Sequence, residues 1–160
     1  MRPGGLGGQM RLLELSNLMP FVEIIGIKAD AAELSKIATG VTAAVVNTLS
    51  VPAETVTIYF TPSYPTHYAH GGSIIEPARQ RIFVKLNILA RSIGVRRRAA
   101  AAVCDAVAMP INHNQRDIAI YFLERSIEEV SHAGILECDR LTSDRTHIPV
   151  VSTTSSNFQE

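Results

Sequence analysis

The chain has 160 residues, enough for one domain with a sizeable core and too few for two comfortable ones. Hydrophobic residues make up 46% and charged residues 19%, a composition that excludes a disordered chain. Fifteen Lys and Arg balance fifteen Asp and Glu, which excludes a global electrostatic pull toward nucleic acid or a membrane surface.

In chain order, MRPGGLGGQMRLLELSNL is Gly-rich, then briefly amphipathic, and lacks the long apolar core of a secretory signal. No apolar stretch approaches the length that spans a bilayer. Met19-Pro20 then introduces the first strand, FVEIIGI. A proline can open a strand because its missing N–H costs nothing there. Equally, if Met19 is the initiator and is removed, Pro20 begins the chain with a free secondary amine. Asp30-Ala31-Ala32-Glu33 fits a capping box, and Leu34, Ile37, Ala38, Val41, Val45 and Leu49 trace one helical stripe. Pro52 stops that helix, and TVTIYF, rich in β-branched and aromatic residues, makes the second strand. His67 and His70 share the next loop with Tyr64 and Tyr68; without a third ligand at metal spacing, no metal is expected.

IFVKLNIL reads as the third strand, residues from about Arg96 to Ala108 as the second helix, and DIAIYF as the fourth strand. Charge is uneven along this part. Arg79 to Arg98 holds seven Lys or Arg and no Asp or Glu, whereas Glu124 to Asp139 is mostly acidic. Arg96-Arg97-Arg98 at a helix start opposes the helix dipole; it could recruit an anion, but reads first as a solvated surface turn. Cys104 and Cys138 form no metal or redox motif and read as ordinary thiols of a reducing cytosol, giving a cytoplasmic expectation. The end, LTSDRTHIPVVSTTSSNFQE, is Ser/Thr-rich and aperiodic, as a flexible tail is. The expected organisation is an extension over 1–18, one folded domain over 19–140 and a tail over 141–160.

Sliding the sequence against itself by 62 positions gives an ungapped match. Phe21-Val22 falls on Phe83-Val84; Ala38, Val41, Ala44 and Val45 fall on Ala100, Val103, Ala106 and Val107; Ile58-Tyr59-Phe60 falls on Ile120-Tyr121-Phe122. One unit is written twice, over about 20–60 and 82–123. Each unit reads as β-α-β, with a right-handed crossover and parallel strands. The expected fold class is α+β, an α/β two-layer sandwich: a four-stranded mixed sheet with two helices on one face. Ile82, Val84, Leu86 and Ile88 should meet the helices. Phe83, Lys85, Asn87 and Leu89 lie opposite with Thr57, Tyr59, Ala119 and Tyr121, a face too apolar to stand in water. Other copies of the chain would cover it.

These stretches resemble the tautomerase superfamily, whose members are β-α-β units with a catalytic amino-terminal proline. Met19-Pro20-Phe21-Val22-Glu23-Ile24 is similar to its start. Leu49-Ser50-Val51-Pro52-Ala53-Glu54-Thr55-Val56-Thr57-Ile58 is similar to the helix-to-strand junction of the 4-oxalocrotonate tautomerases. Gly71-Gly72-Ser73 with Glu76-Pro77 resembles the inter-unit loop of the macrophage migration inhibitory factors. The layout resembles the fused, two-unit members, covers about residues 19–125, and implies a homotrimer.

The resemblance implies a cofactor-independent tautomerase or isomerase of small enol or keto acids, with Pro20 as general base. An α-amino group titrates near ~7.7–8, and desolvation or a nearby cation lowers it toward the neutral range. Arg91 lies where the malonate semialdehyde decarboxylases have substrate-binding arginines, and could hold a carboxylate bidentately. Tyr121 aligns with a pocket asparagine of the migration inhibitory factors. Lys28 is expected near the same rim as Pro20, and Arg79 and Arg81 flank the inter-unit strand; each of these also reads as a solvated or structural residue. Thr57 and Asp30 stand where the 4-oxalocrotonate tautomerases have arginines, which leaves anion binding to the Arg79–Arg91 stretch. The implied partners are a small-molecule substrate bearing a carboxylate and two further copies of the chain, with no cofactor, nucleic acid or membrane. A second reading stays open: a non-catalytic trimeric binding or structural protein whose proline merely begins a strand. A third, an unrelated ferredoxin-like module binding a regulator or RNA, lacks any aromatic-plus-basic RNA-binding pattern.

Overall fold

A computed structural model describes residues 20–74 and 80–143, without the side chains of Pro65 and of 141–143. Met19, Glu76-Pro77, Arg79 and residues 144–160 therefore lie outside the described residues. The chain divides into two compact units, the first ending at Ser126 and the second starting at Ile127.

The first unit holds the sheet. β1 (Phe21–Ile27) runs parallel to β2 (Thr57–Pro62), β5 (Ile82–Leu89) runs parallel to β6 (Ile118–Arg125), and the two pairs join antiparallel along β1 and β5, giving the order β2-β1-β5-β6. A short hairpin, β3 (Ala69–His70) and β4 (Ser73–Ile74), follows β2. Alternation decides which side of each strand is dry. Val22, Ile24, Ile82, Val84, Leu86 and Ile88 are buried, together with Ile37, Val41, Val45, Val103 and Val107 of the helices. This is the four-stranded mixed sheet with two main helices expected from the sequence.

Helix α1 (Ala31–Leu49) begins in a complete capping box. Asp30 Oδ1 accepts from the Glu33 N–H at 2.8 Å, and Glu33 Oε2 accepts from the Asp30 N–H at 2.9 Å. Helix α2 (Ile93–Ala108) starts three residues before the expected Arg96, because Ser92 Oγ accepts from the Val95 N–H and caps an earlier turn. The arginine triplet thus lies one turn inside the helix. At the crossing of the helices, a Cβ built on Gly40 would come within 3.2 Å of Ala106 Cβ, so the approach uses the missing side chain.

The repeat holds at the level of single structural features. The caps Asp30 and Ser92, the left-handed residues Ser50 and Asn112, and the 3-10 turns Ala53–Thr55 and Gln115–Asp117 all differ by the same offset of 62. It also extends past the expected unit ends of 60 and 123. The second unit of the chain contains a hairpin, β7 (Ser131–His132) and β8 (Ile135–Leu136), that matches β3–β4 position for position, followed by α3 (Glu137–Ser143). Both turns have positive φ at their two central residues, Gly71-Gly72 in one and Ala133-Gly134 in the other.

Candidate active site at the start of β1

β1 begins at one end of the sheet, beside the start of β2 and the ends of β5 and β6. The pairings fix this: Phe21 lies opposite Thr57 on one side and Asn87 on the other, and Asn87 in turn lies opposite Leu123. Pro20 is buried there, and its carbonyl accepts from the Thr57 N–H at 3.0 Å. That bond ties the residue before β1 to β2 and leaves the proline ring packed at the sheet's end.

Polar side chains gather at the same end. Asn87 Nδ2 donates to the Phe21 carbonyl at 3.4 Å. Asn87 Oδ1 accepts from both Nε and Nη2 of Arg125, at 3.3 and 3.2 Å. Arg91, two residues past β5, is half-buried, and its Nη1 donates to the Ala90 carbonyl at 3.1 Å. Burial draws the Arg91 guanidinium below its ordinary pKa, the mark of a charge taken partly out of water. Arg96 reaches back to the Arg91 carbonyl through Nε at 3.0 Å and pairs with Glu124. Among the described residues, neither Arg91 nor Arg125 has an acidic partner. The result is a rim with two positive groups uncompensated by acids, beside a buried proline and the Phe21 ring, which meets Tyr59 edge-on at 5.8 Å.

The residues singled out from sequence fall in different places. Arg91 is at this end. Tyr121 is not at the rim within one chain: it stands in the cross-strand row Tyr59–Glu23–Lys85–Tyr121, on the outer face, roughly 14 Å from Pro20 by strand geometry. Lys28 and Arg81 lie at the opposite end. The expectation that Lys28 shares a rim with Pro20 fails within one chain, because β1 carries it the full length of the sheet away, roughly 25 Å. Arg81 accompanies it there, its carbonyl crowding Gly26 near the end of β1. Arg97 and Arg98 are exposed, as the solvated reading expects; Arg96 is not, being committed to Glu124 and Arg91. His67 stacks edge-on with Tyr64, and among the described residues no three His, Cys, Asp or Glu gather as metal ligands. A shallow depression along α1, lined by Thr39, Thr42, Val46 and Asn47 together with Ala53, has no titratable wall.

Asn87, Glu124 and Arg125 were not visible as site residues from strand and helix patterns. The signal that could have found them is the repeat itself. At the offset of 62, Asn87, Arg91, Arg96, Glu124 and Arg125 correspond to Ile25, Ala29, Leu34, Pro62 and Ser63. Core positions match across the halves, whereas this polar cluster replaces small or apolar residues at one end only. The outer face carries aromatic rings toward both edges, with the Glu23–Lys85 ion pair between them. Tyr59 and Tyr121 are 63% and 52% exposed, and Phe83 stacks on Tyr121 at 6.2 Å as Phe21 meets Tyr59.

No protein-family model matches the chain, and no curated protein sequence matches it. Solved structures do. A wild-type fused 4-OT, described as an asymmetric trimer, superposes with a TM-score of 0.69 at 15% identity, covering 75% of this chain and 98% of the other. The macrophage migration inhibitory factor of Toxoplasma gondii gives 0.62 at 17% identity, covering 72% and 98%. A member of the cis-3-chloroacrylic acid dehalogenase family gives 0.65 at 13% identity, covering 81% and 92%. Among the described residues, no helix is long and apolar enough to cross a membrane. The chain has the fold of the tautomerase superfamily.

Proposed function

We propose that this protein is a cofactor-independent tautomerase of small enol or keto acids, acting through Pro20 as the first residue of the mature chain. The observation that carries the reading is the buried proline at the head of β1, beside two arginines that have no acidic partner among the described residues, in a fold whose solved neighbours include a fused 4-OT and a dehalogenase-family member. With Met19 attached, the Pro20 nitrogen is an amide and cannot take a proton. With Met19 removed, it is a secondary amine, and its surroundings bear on its basicity. Burial and nearby cations both disfavour the protonated form, lowering the pKa from the ~7.7–8 of a free α-amino group toward neutrality.

A neutral amine can then remove a proton from a carbon or hydroxyl beside a carbonyl and return it at the other end of the enol system. Arg91 is the proposed anchor for the substrate's carboxylate. Tyr121, Lys28 and Arg81 could join a Pro20 site only across a seam between subunits. A homotrimer that closes the apolar outer face is part of the proposal, supported by that face and by the trimeric fused 4-OT.

The test has two steps. Intact-mass measurement of the protein expressed from its native gene should give a chain starting at Pro20. That chain should ketonise phenylpyruvate enol or a hydroxydienoate without added metal or nucleotide, and one extra residue ahead of Pro20 should abolish turnover. A chain that keeps Met19, or a Pro20-initiated chain inert toward such enols and haloacrylates, leaves the non-catalytic trimer as the better account.

A further inference from the structure

We propose that Asn87 and Arg125 are positioning residues for Pro20: Asn87 pins the head of β1 through the Phe21 carbonyl, and Arg125 fixes the way the Asn87 amide faces. This rests on reading Pro20 as the base. It gives Arg125 a part that involves no contact with substrate.

A strand that begins with the first residue of a chain has a weak head, because terminal residues fray unless they are tied down. On one flank of β1 the tie is backbone: the Thr57 N–H donates to the Pro20 carbonyl at 3.0 Å. On the other flank it is a side chain. Asn87 lies opposite Phe21 on β5, and its Nδ2 donates to the Phe21 carbonyl at 3.4 Å. Successive carbonyls are thus held from opposite sides, since β2 and β5 flank β1. That restricts the backbone rotations that would swing the Pro20 nitrogen.

A bond of 3.4 Å is long, and an amide held by it alone could turn over and set oxygen against oxygen. Arg125 removes that choice. A guanidinium only donates, and Nε and Nη2 of Arg125 both donate to Asn87 Oδ1, at 3.3 and 3.2 Å. With the oxygen committed to Arg125, the amide nitrogen must face the Phe21 carbonyl. Two donors on one oxygen also polarise the amide and make its N–H the better donor. The arrangement accounts for a neutral amide beside an arginine that has no acidic partner among the described residues. An aspartate there would pair with Arg125 by charge, but it could not donate to Phe21.

The repeat supplies an internal control. The counterpart of the Phe21–Asn87 pair is Phe83–Ile25, also paired across β1 and β5. Ile25 has no donor, and Ser63 stands in the place of Arg125. There β5 is preceded by Gln80 and Arg81, so its head is tethered by the chain itself. The same backbone carries the pin only at the head that the proposed mature chain leaves untethered.

The experiment compares the Pro20-initiated chain with Asn87→Ala, Asn87→Asp, Arg125→Ala and Arg125→Lys. It reads kcat and KM for an acidic enol and its matched ester on the pH plateau of kcat, so that a moved amine pKa does not enter. Nitrogen relaxation of the Phe21 N–H, without substrate, reads the order of the strand head. Asn87→Ala should lower kcat roughly ten- to a hundred-fold, as a misplacement of about 1 Å does, with KM unchanged and acid and ester affected alike. Asn87→Asp should lose as much, because it keeps the shape and the Arg125 contact and lacks the donor. Arg125→Ala should cost several-fold, and Arg125→Lys, which still donates to Oδ1, should recover most of that. Phe21 order should fall in the same sequence, and the unchanged KM serves as the folding control. Wild-type kcat in Asn87→Asp, a loss confined to the acid, a loss in KM instead of kcat, or unchanged Phe21 order would each overturn the proposal. An inert wild-type chain would sink the catalytic reading; the pin is then decided by the Phe21 order, which needs no turnover.

Discussion

Gly26→Ala should be among the most damaging single-methyl additions in the chain, and the reason can be divided into parts. Gly26 interrupts β1: the pairing with β2 shifts register between Ile25 and Ile27, and the glycine sits at φ +87°. An L-residue forced into the left-handed region costs about 1–2 kcal/mol. The added Cβ would also lie 2.8 Å from the Arg81 carbonyl oxygen, against about 3.4 Å for an ordinary contact. Arg81 precedes β5, so relief requires moving backbone at the start of a central strand, and a strained or lost strand hydrogen bond costs about 0.5–1.5 kcal/mol more. The sum is about 1.5–3.5 kcal/mol.

Gly72→Ala isolates the first part. Gly72 has nearly the same φ, +82°, and a Cβ added there meets nothing within 4 Å. It should cost only the conformational penalty. Urea unfolding of both variants, with m-values checked for constancy, gives the two losses. Gly26→Ala should exceed Gly72→Ala by about 0.5–1.5 kcal/mol. Equal losses would mean that the approach of Arg81 adds nothing and that the packing argument at the bulge is wrong.

Gly40→Leu should lower stability by about 1–3 kcal/mol in the same assay, because Ala106 already lies 3.2 Å from a Cβ at that position, while Gly40→Ala should stay near neutral as helix propensity offsets the tight contact. Ala133→Gly should slow amide exchange in the β7–β8 hairpin, since Ala133 holds φ +52° where its counterpart in the other half is Gly71; unchanged exchange would mean the alanine is unstrained. In the Pro20-initiated chain, Arg91→Ala should cut kcat/KM for an acidic enol roughly ten- to a hundred-fold and spare its matched ester; equal losses for both would make the residue structural.

The parts of the fold that were legible in the sequence are those where one face decides everything. FVEIIGI and IFVKLNIL alternate between a dry side and an outer side, and both strands run over those residues. The Asp30–Glu33 box marked the first helix because both of its halves are present in the letters. Ser92 was harder to recognise, since Val95 stands where a reciprocal glutamate would be and Gly94 weakens the first turn as a helix signal. β6 outruns DIAIYF to Arg125 because its parallel partner β5 is long enough to pair Leu123, Glu124 and Arg125, a tertiary effect that strand propensity does not contain. The β7–β8 hairpin was hidden by Ala133, which occupies a turn position that glycine would have announced. At the candidate site, Pro20 and Arg91 could be picked out by position, whereas Asn87 and Arg125 meet across 38 residues of chain and become neighbours only through strand register.

Register also shows what joining the two units into one chain permits. β1 and β5 pair antiparallel with Glu23 opposite Lys85, and these two residues are each other's counterparts under the repeat. They therefore mark the pseudo-two-fold axis of the sheet. In a dimer of identical units, that position would face its own copy, and either Glu or Lys would meet a like charge, which is destabilising across a strand pair. Within one chain the halves can differ, and Glu23 Oε2 accepts from Lys85 Nζ at 3.1 Å instead. The pair is partly solvated, so its contribution is small, on the order of 1 kcal/mol at most. Its significance is that the axis itself is asymmetric in charge. The same freedom operates at the ends of the sheet, which the axis would otherwise make equal. Asn87, Arg91, Arg96, Glu124 and Arg125 build one end, and Ile25, Ala29, Leu34, Pro62 and Ser63 build the other. Hydrophobic positions are held alike by the shared core, so divergence collects where packing does not constrain it. The other end has charges of its own, Lys28 and Arg81, but among the described residues no side-chain hydrogen bond joins them, so the two ends differ in chemistry although the backbone repeats.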